Sequence, residues 1–549
     1  MKSFLTLFTA FCLSAAATQA QAPLTVPKPV AAALEQVQPE ALKAHITYLA
    51  DDRLLGRKAG TPGYQLAVDY VTAQLKALGV QPAGEDGTFI QKVRLRRAFL
   101  QSGATFAARE WQGTTLALTP GKDYVLYPNP ELPATRVADV PLVFAGFGIS
   151  APELGYDDYA GLDVKGKLVM IVRGAPRTFA ATVASASQDL AGLLKAAISH
   201  GAVGLILASA HAGPLPDLKN GTYSVLGADG KIAVSRTFAA GSKQQLYGAV
   251  SAAALQRFLQ TAETDTTQVF AAMRRGKPAS KGLRTTITAT MQSTYQDVES
   301  ANVVGMFLGS DAKLRNEYVV HSAHLDHLGV TAPVLGDSIN NGAHDNASGV
   351  ACVLEIAKIY SQLQEKPKRT MLFAFMTGEE LGLLGSAAFA AYPTVPKANI
   401  VADINMDMPT IIAPLLSVVA LGAPHSSLLK PVQRACAHMS IALESDPEPE
   451  QNRFIRSDQY SFVTAGIPAL HLKYGNKTAD GRNNLSAEVQ KWRAVTYHKP
   501  QDDINGRFDF AAGRKYVQLC FLVSYQVAQD AARPQWNRGD FFGQRYGRR

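Results

Sequence analysis

Residues 371–386 read MLFAFMTGEELGLLGS. The apolar run 371–376 has the length and composition of a buried strand. Thr377 and Gly378 break its pattern, and two adjacent acids, Glu379 and Glu380, follow at once. Neighbouring like charges at the end of a buried strand repel each other and are costly to desolvate, so they call for a cation or a shared proton. Alone, the pair also suits a solvated helix start, where acids favour the helix dipole. The rest of the chain is therefore searched for the cation's other ligands.

Strands are expected at residues 318–322, 400–406, 418–421 and 469–472, alternating with helices at 348–363, 428–438 and 510–531 in the manner of a wound α/β domain. His324, Asp326 and His327 follow the first of these strands, and Asp407 follows the second. In such sheets, sites assemble in the crevice beyond the carboxyl ends of the strands, so these side chains converge although they lie far apart in sequence. Between the first two strands, GAHDNASG (342–349) places Asp345 just before a helix that Ser348 is suited to cap. Near the end, TYHKPQDD (496–503) brings Tyr497 and His498. Two imidazoles with several carboxylates and no thiolate suit zinc in a catalytic site.

Upstream, residues 39–49 and 65–78 have helical spacing, with the loop DDRLLGRKAGTPG (51–63) between them and Gly79 as a stop. From 116 to 284 the texture changes to short strands, such as 142–147 and 167–172, with a helix at 190–200 before an apolar run at 203–208. This block holds no cluster of His and acids, and it reads as a β-rich module inserted into the chain.

The chain has 549 residues, 47% hydrophobic and 18% charged, which describes a folded protein of several domains. Its net charge of +9 is modest for this length, and no nucleic-acid partner is expected. Part of the charge lies in the tail 533–549, where Arg538, Arg545, Arg548 and Arg549 sit among Gly and aromatic residues; a solvated, partly disordered terminus is expected. Residues 1–22 carry Lys2, an apolar run and small residues at Ala20 and Ala22, the features of a secretory signal. The run is short for a membrane span, and no transmembrane segment is expected, so the reading is an exported protein, periplasmic or secreted. Outside that leader only Cys352, Cys436 and Cys520 remain, which allows at most one disulfide.

The segments SAHLDH (322–327), HDNASG (344–349), MTGEELGLLGS (376–386), NMDM (405–408), SDQYSFVTAGIPAL (457–470) and TYHKPQDD resemble, in order, the co-catalytic zinc peptidase family that includes secreted bacterial aminopeptidases and glutamate carboxypeptidase. HITYLADDRLLGRKAGTPG (45–63) resembles the segment that opens its peptidase domain. GYDDYAGLDVKGKLVMIV (155–172) and KAAISHGAVGLILASA (195–210) resemble a protease-associated domain. The resemblance implies a wound mixed β-sheet of the zinc-exopeptidase fold. The peptidase domain would run over 23–115 and 285–532, interrupted by a β-rich protease-associated domain at 116–284. It implies two zinc ions per chain, one held by His324 and Asp407, the other by Glu380 and His498, with Asp345 bridging. Glu379 would be the general base, Tyr497 would stabilise the oxyanion, and Asp326 would orient His324. His344, where relatives carry an acid or Asn, is not expected to be a ligand, and His321 and His327 are expected to be packing or hydrogen-bonding residues. The activity implied is an exopeptidase acting on peptides, most simply an aminopeptidase. A glutamate carboxypeptidase-like enzyme, a glutaminyl cyclase and a non-catalytic peptide-binding relative are the alternatives.

Overall fold

A computed structural model describes residues 24–547, so the leader 1–22 lies outside the described residues. The strand Thr370–Met376 is buried along its whole length, as its uninterrupted apolar run requires. It pairs in parallel with Tyr318–His324, with Met376 opposite His324. Tyr318–His324 pairs in parallel with Ile400–Asn405, which in turn pairs in parallel with Ala469–Tyr474. Antiparallel partners flank this parallel centre: Lys281–Phe307 beside Thr370–Met376, and Ser417–Leu421 beside Ala469–Tyr474. The fold is thus a wound mixed α/β sheet. Because the four central strands run the same way, the residues just past their carboxyl ends share one edge.

Helices Pro39–Leu49, Pro62–Ala77, Ser348–Gln362 and Phe510–Gln529 contribute their apolar sides to one large core against the sheet. A smaller core draws on Phe389, Phe462 and Val463, and on Phe541 and Phe542 from the short helix Phe541–Tyr546. The tail therefore packs through residue 546 instead of lying loose in solvent. Phe541 and Phe542 are buried, and Arg545 lies over the rings of Phe541 and Tyr546, so this arginine covers an apolar anchor.

Lys281–Phe307 is a single strand of 27 residues shared by two sheets. Its later part pairs with Ile90–Leu100 in the central sheet, and its earlier part with Thr105–Glu110 and Ala134–Phe144. From Ala134–Phe144, three further strands follow in parallel: Leu168–Val172, Gly204–Ala208 and Leu246–Val250. These strands and the helices Leu190–Ser199 and Ala252–Gln260 enclose a second core. That core also takes in Phe106 and Ala108 and, from the shared strand, Leu283, Ile287, Ala289 and Met291. It therefore extends beyond 116–284 on both sides, because the shared strand runs unbroken from one sheet into the other. Cys352, Cys436 and Cys520 are buried and free. Among the described residues no helix is long and apolar enough to cross a membrane.

Candidate metal centre

The Asp345 loop is built by its backbone. Gly342, at φ +60°, turns the chain where an added Cβ would lie 2.0 Å from the Asp345 carbonyl oxygen. The buried Asp502 carboxylate then accepts the amide protons of His344 and Asp345, at 2.9 and 3.0 Å. Asn346 follows a cis peptide bond, and its Oδ1 accepts from the amides of Gly349 and Met408, at 3.0 and 3.1 Å. Asn346 thus satisfies the helix start expected of Ser348, whose hydroxyl instead donates back to the His344 carbonyl at 2.8 Å. Gly349 allows this approach, since an added Cβ would lie 2.1 Å from the Met406 carbonyl oxygen.

The loop aims Asp345 between two imidazoles. His324 Nε2 lies 3.3 Å from Oδ1 of Asp345 and 3.6 Å from Oδ1 of Asp407. His498 Nε2 lies 3.2 Å from Oδ2 of Asp345 and 3.4 Å from Oε2 of Glu380. Two ligand atoms on one tetrahedral zinc, each about 2.0–2.1 Å from it, stand about 3.3 Å apart. His324 and Asp345 are almost wholly buried, and Oδ1 of Asp407 is buried without a hydrogen-bond partner among the described residues. An orphaned carboxylate oxygen facing an imidazole at ligand spacing fits a cation. Candidate metal-holding groups form around both ends of Asp345: His324 with Asp345 and Asp407, and His327 with Asp345 and Glu380.

His327 makes a hydrogen bond, one of the two roles expected of it, but lies at the centre and not beyond it. It is buried beside the centre, with Nδ1 2.7 Å from Oε1 of Glu380. That is hydrogen-bond distance, shorter than the ligand spacing, so His327 holds one oxygen of Glu380 while the other faces His498. Its place three residues after His324 was the available signal. Asp326 also differs from expectation. His324 Nδ1 lies 3.1 Å from the Asp326 backbone carbonyl and 4.0 Å from its carboxylate, which instead accepts the Glu379 amide at 3.1 Å. The chain turns after His324, so the carbonyl reaches the imidazole first. His344 points away, stacked on Phe508 with Nε2 3.0 Å from the Arg507 carbonyl. His321 packs inside the sheet against Phe373, and Tyr497 stacks on His498 with ring centroids 3.8 Å apart.

Burial and charge act in opposite directions here. Burial alone would raise the carboxyls of Asp345 and Asp407, but His324 and His498 against the first, and Lys473 and His324 near the second, hold both below the usual range. Glu379 is pushed well above it, chiefly by burial and further by Glu380 and Asp407. Burial also lifts Asp326 to about 7. Glu379 lines one cavity together with Asp345, Asp407, Tyr497 and His498.

Residues 302–518 match the model of peptidase family M28. The chain is 27% identical over 252 residues to leupeptin-inactivating enzyme 1 of Streptomyces exfoliatus, covering 43% of this chain and 51% of that one. It is 37% identical over 251 residues to a probable zinc metalloprotease of Pyrenophora teres f. teres, covering 43% and 50%. The chain thus spans about half the length of these curated relatives. Among solved structures it is similar to an aminopeptidase from Aneurinibacillus sp. strain AM-1, at 20% identity and a TM-score of 0.48 over 91% of this chain and 97% of that one. A zinc aminopeptidase from Bacillus subtilis matches at 17% identity and a TM-score of 0.43, over 92% and 97%. Over residues 302–518, the chain is thus similar to peptidase family M28.

Proposed function

We propose that the protein is a zinc-dependent exopeptidase that hydrolyses a terminal peptide bond with Glu379 as general base. The observation that carries this reading is Asp345, whose two carboxylate oxygens each face a different imidazole, at 3.3 and 3.2 Å. One zinc site would use His324 and Asp407, the other Glu380 and His498, with Asp345 shared. When bound, a zinc pair supplies Lewis-acid polarisation of the scissile carbonyl and a lowered pKa for water between the ions.

The chain's own groups do the rest. Glu379, held by its amide on Asp326, takes a proton from the attacking water at its carboxylate and delivers it to the departing nitrogen. Tyr497, whose phenol burial keeps protonated, donates towards the oxyanion. Attack at the amino terminus follows from the family resemblance. The second core would act as a protease-associated domain, and the leader 1–22 supports export to the periplasm or beyond. Terminal residues released from a peptide mixture, abolished by chelator and restored by zinc, are the expected result; hydrolysis indifferent to chelator would remove the metal from the mechanism.

A further inference from the structure

Four cations line the same cavity: Arg453, Arg456, Lys473 and Arg493. Its lining acids are Asp345, Glu379 and Asp407, all three already assigned to metal or base. None of the lining carboxylates stands outside that proposed set.

The cations are not alike. Arg453 is ion-paired with Asp446 and with Glu448, the latter at 3.3 Å. Lys473 is buried and donates to the carbonyls of Asp407 and Met408, at 2.8 and 2.9 Å. Arg493 instead lies with its guanidinium carbon 3.7 Å from the centre of the Tyr497 ring, and its Nη1 is 3.6 Å from the Met408 sulfur. Neither of those partners carries a formal charge. Arg456 follows the turn Arg453–Ile455 with an exposed side chain, and among the described residues neither Arg456 nor Arg493 is ion-paired with a carboxylate.

Two unneutralised guanidinium groups thus border the reacting centre, one of them fixed on the tyrosine beside His498. A guanidinium presents paired N–H donors that match a carboxylate bidentately, and such charge-assisted bonds are the strong ones. An ammonium group set directly against these two guanidinium groups would be repelled. We propose that Arg456 and Arg493 bind a carboxylate of the substrate, so that the cleft selects peptides carrying an acidic group next to the scissile bond. This rests on the peptidase reading. The carboxylate has two sources, the carboxyl terminus of a dipeptide or the side chain of a terminal Asp or Glu.

Two matched pairs of peptides separate these sources: Ala-Ala against Ala-Ala-amide, and Glu-Ala-amide against Gln-Ala-amide. With the zinc-loaded full chain, the acid member of at least one pair is expected to exceed its neutral partner about tenfold or more in kcat/KM, the scale of a hydrogen-bonded charge. R456Q and R493Q should each move that ratio towards one, through KM. Calorimetry of the same peptides on zinc-loaded E379Q reads binding without turnover, and the same acid member should bind more tightly. If no peptide is cleaved the peptidase reading fails, and the calorimetric comparison alone decides the carboxylate proposal. Equal rates and equal affinities for acid and neutral members, or a preference for the neutral ones, would overturn it.

Discussion

Glu379 and Glu380 are neighbours in the chain, yet their surroundings separate them. Glu380 is held from one side by His327 and faces His498 from the other, whereas Glu379 is held by its backbone amide and leaves its carboxylate in the cavity. E379Q should therefore keep its metal and lose about 10²–10⁴-fold in kcat, the usual contribution of a general base; unchanged turnover would remove it from that role. His327 positions a proposed ligand, and H327F should weaken zinc binding about ten- to a hundredfold. Competition with a chelating dye measures this, and wild-type affinity in H327F would mean that Glu380 needs no such support. The residues His324, Asp345, Glu380, Asp407 and His498 were legible because each follows a strand or lies in a quoted segment. For His327 packing and hydrogen bonding stayed open, because a lone His three residues past a strand looks the same in either role.

At the level of elements, Arg57 connects the amino-terminal turn to the loops that carry the centre. The side chain is buried, and its guanidinium donates to the carbonyls of Leu49, Leu325, Asn341 and Gly342. Leu325 adjoins His324, and Gly342 opens the Asp345 loop, so one side chain fixes both with respect to the helix Pro39–Leu49. R57M would leave several buried carbonyls unpaired and should cost about 3 kcal/mol in denaturant stability; a loss below about 1 kcal/mol would show that these carbonyls find other donors. The strands of the centre were readable from their apolar runs and the helices from their spacing. The shared strand Lys281–Phe307 was not, because its alternating burial over 283–293 gives way to an irregular pattern that hides its continuity. The packed tail was hidden for another reason: its arginines outnumber the aromatics that anchor it.

For the whole molecule, the second core carries its own pH dependence. Asp158 there accepts the amides of Phe147 and Ile149 and the Tyr156 hydroxyl, and burial lifts its carboxyl to about 7. A folded pKa raised above that of the unfolded chain means the fold binds the proton more tightly. Asp158 therefore withdraws stability as pH rises from about 4, where an unfolded Asp titrates, to about 7. Measured against wild type, D158N should gain relative denaturant stability across that window and level off above it; a difference independent of pH would contradict the assignment. The two cores share a strand, so this loss should reach the central sheet as well.

Asp345 shared between two zinc ions requires a definite metal content, which metal counting on the purified chain measures. Elemental analysis of zinc-loaded, dialysed protein should give two zinc ions per wild-type chain, about one for H498A, and restoration of peptide hydrolysis only as the second equivalent is added back to metal-free protein. A single zinc per chain with full hydrolysis would contradict the account.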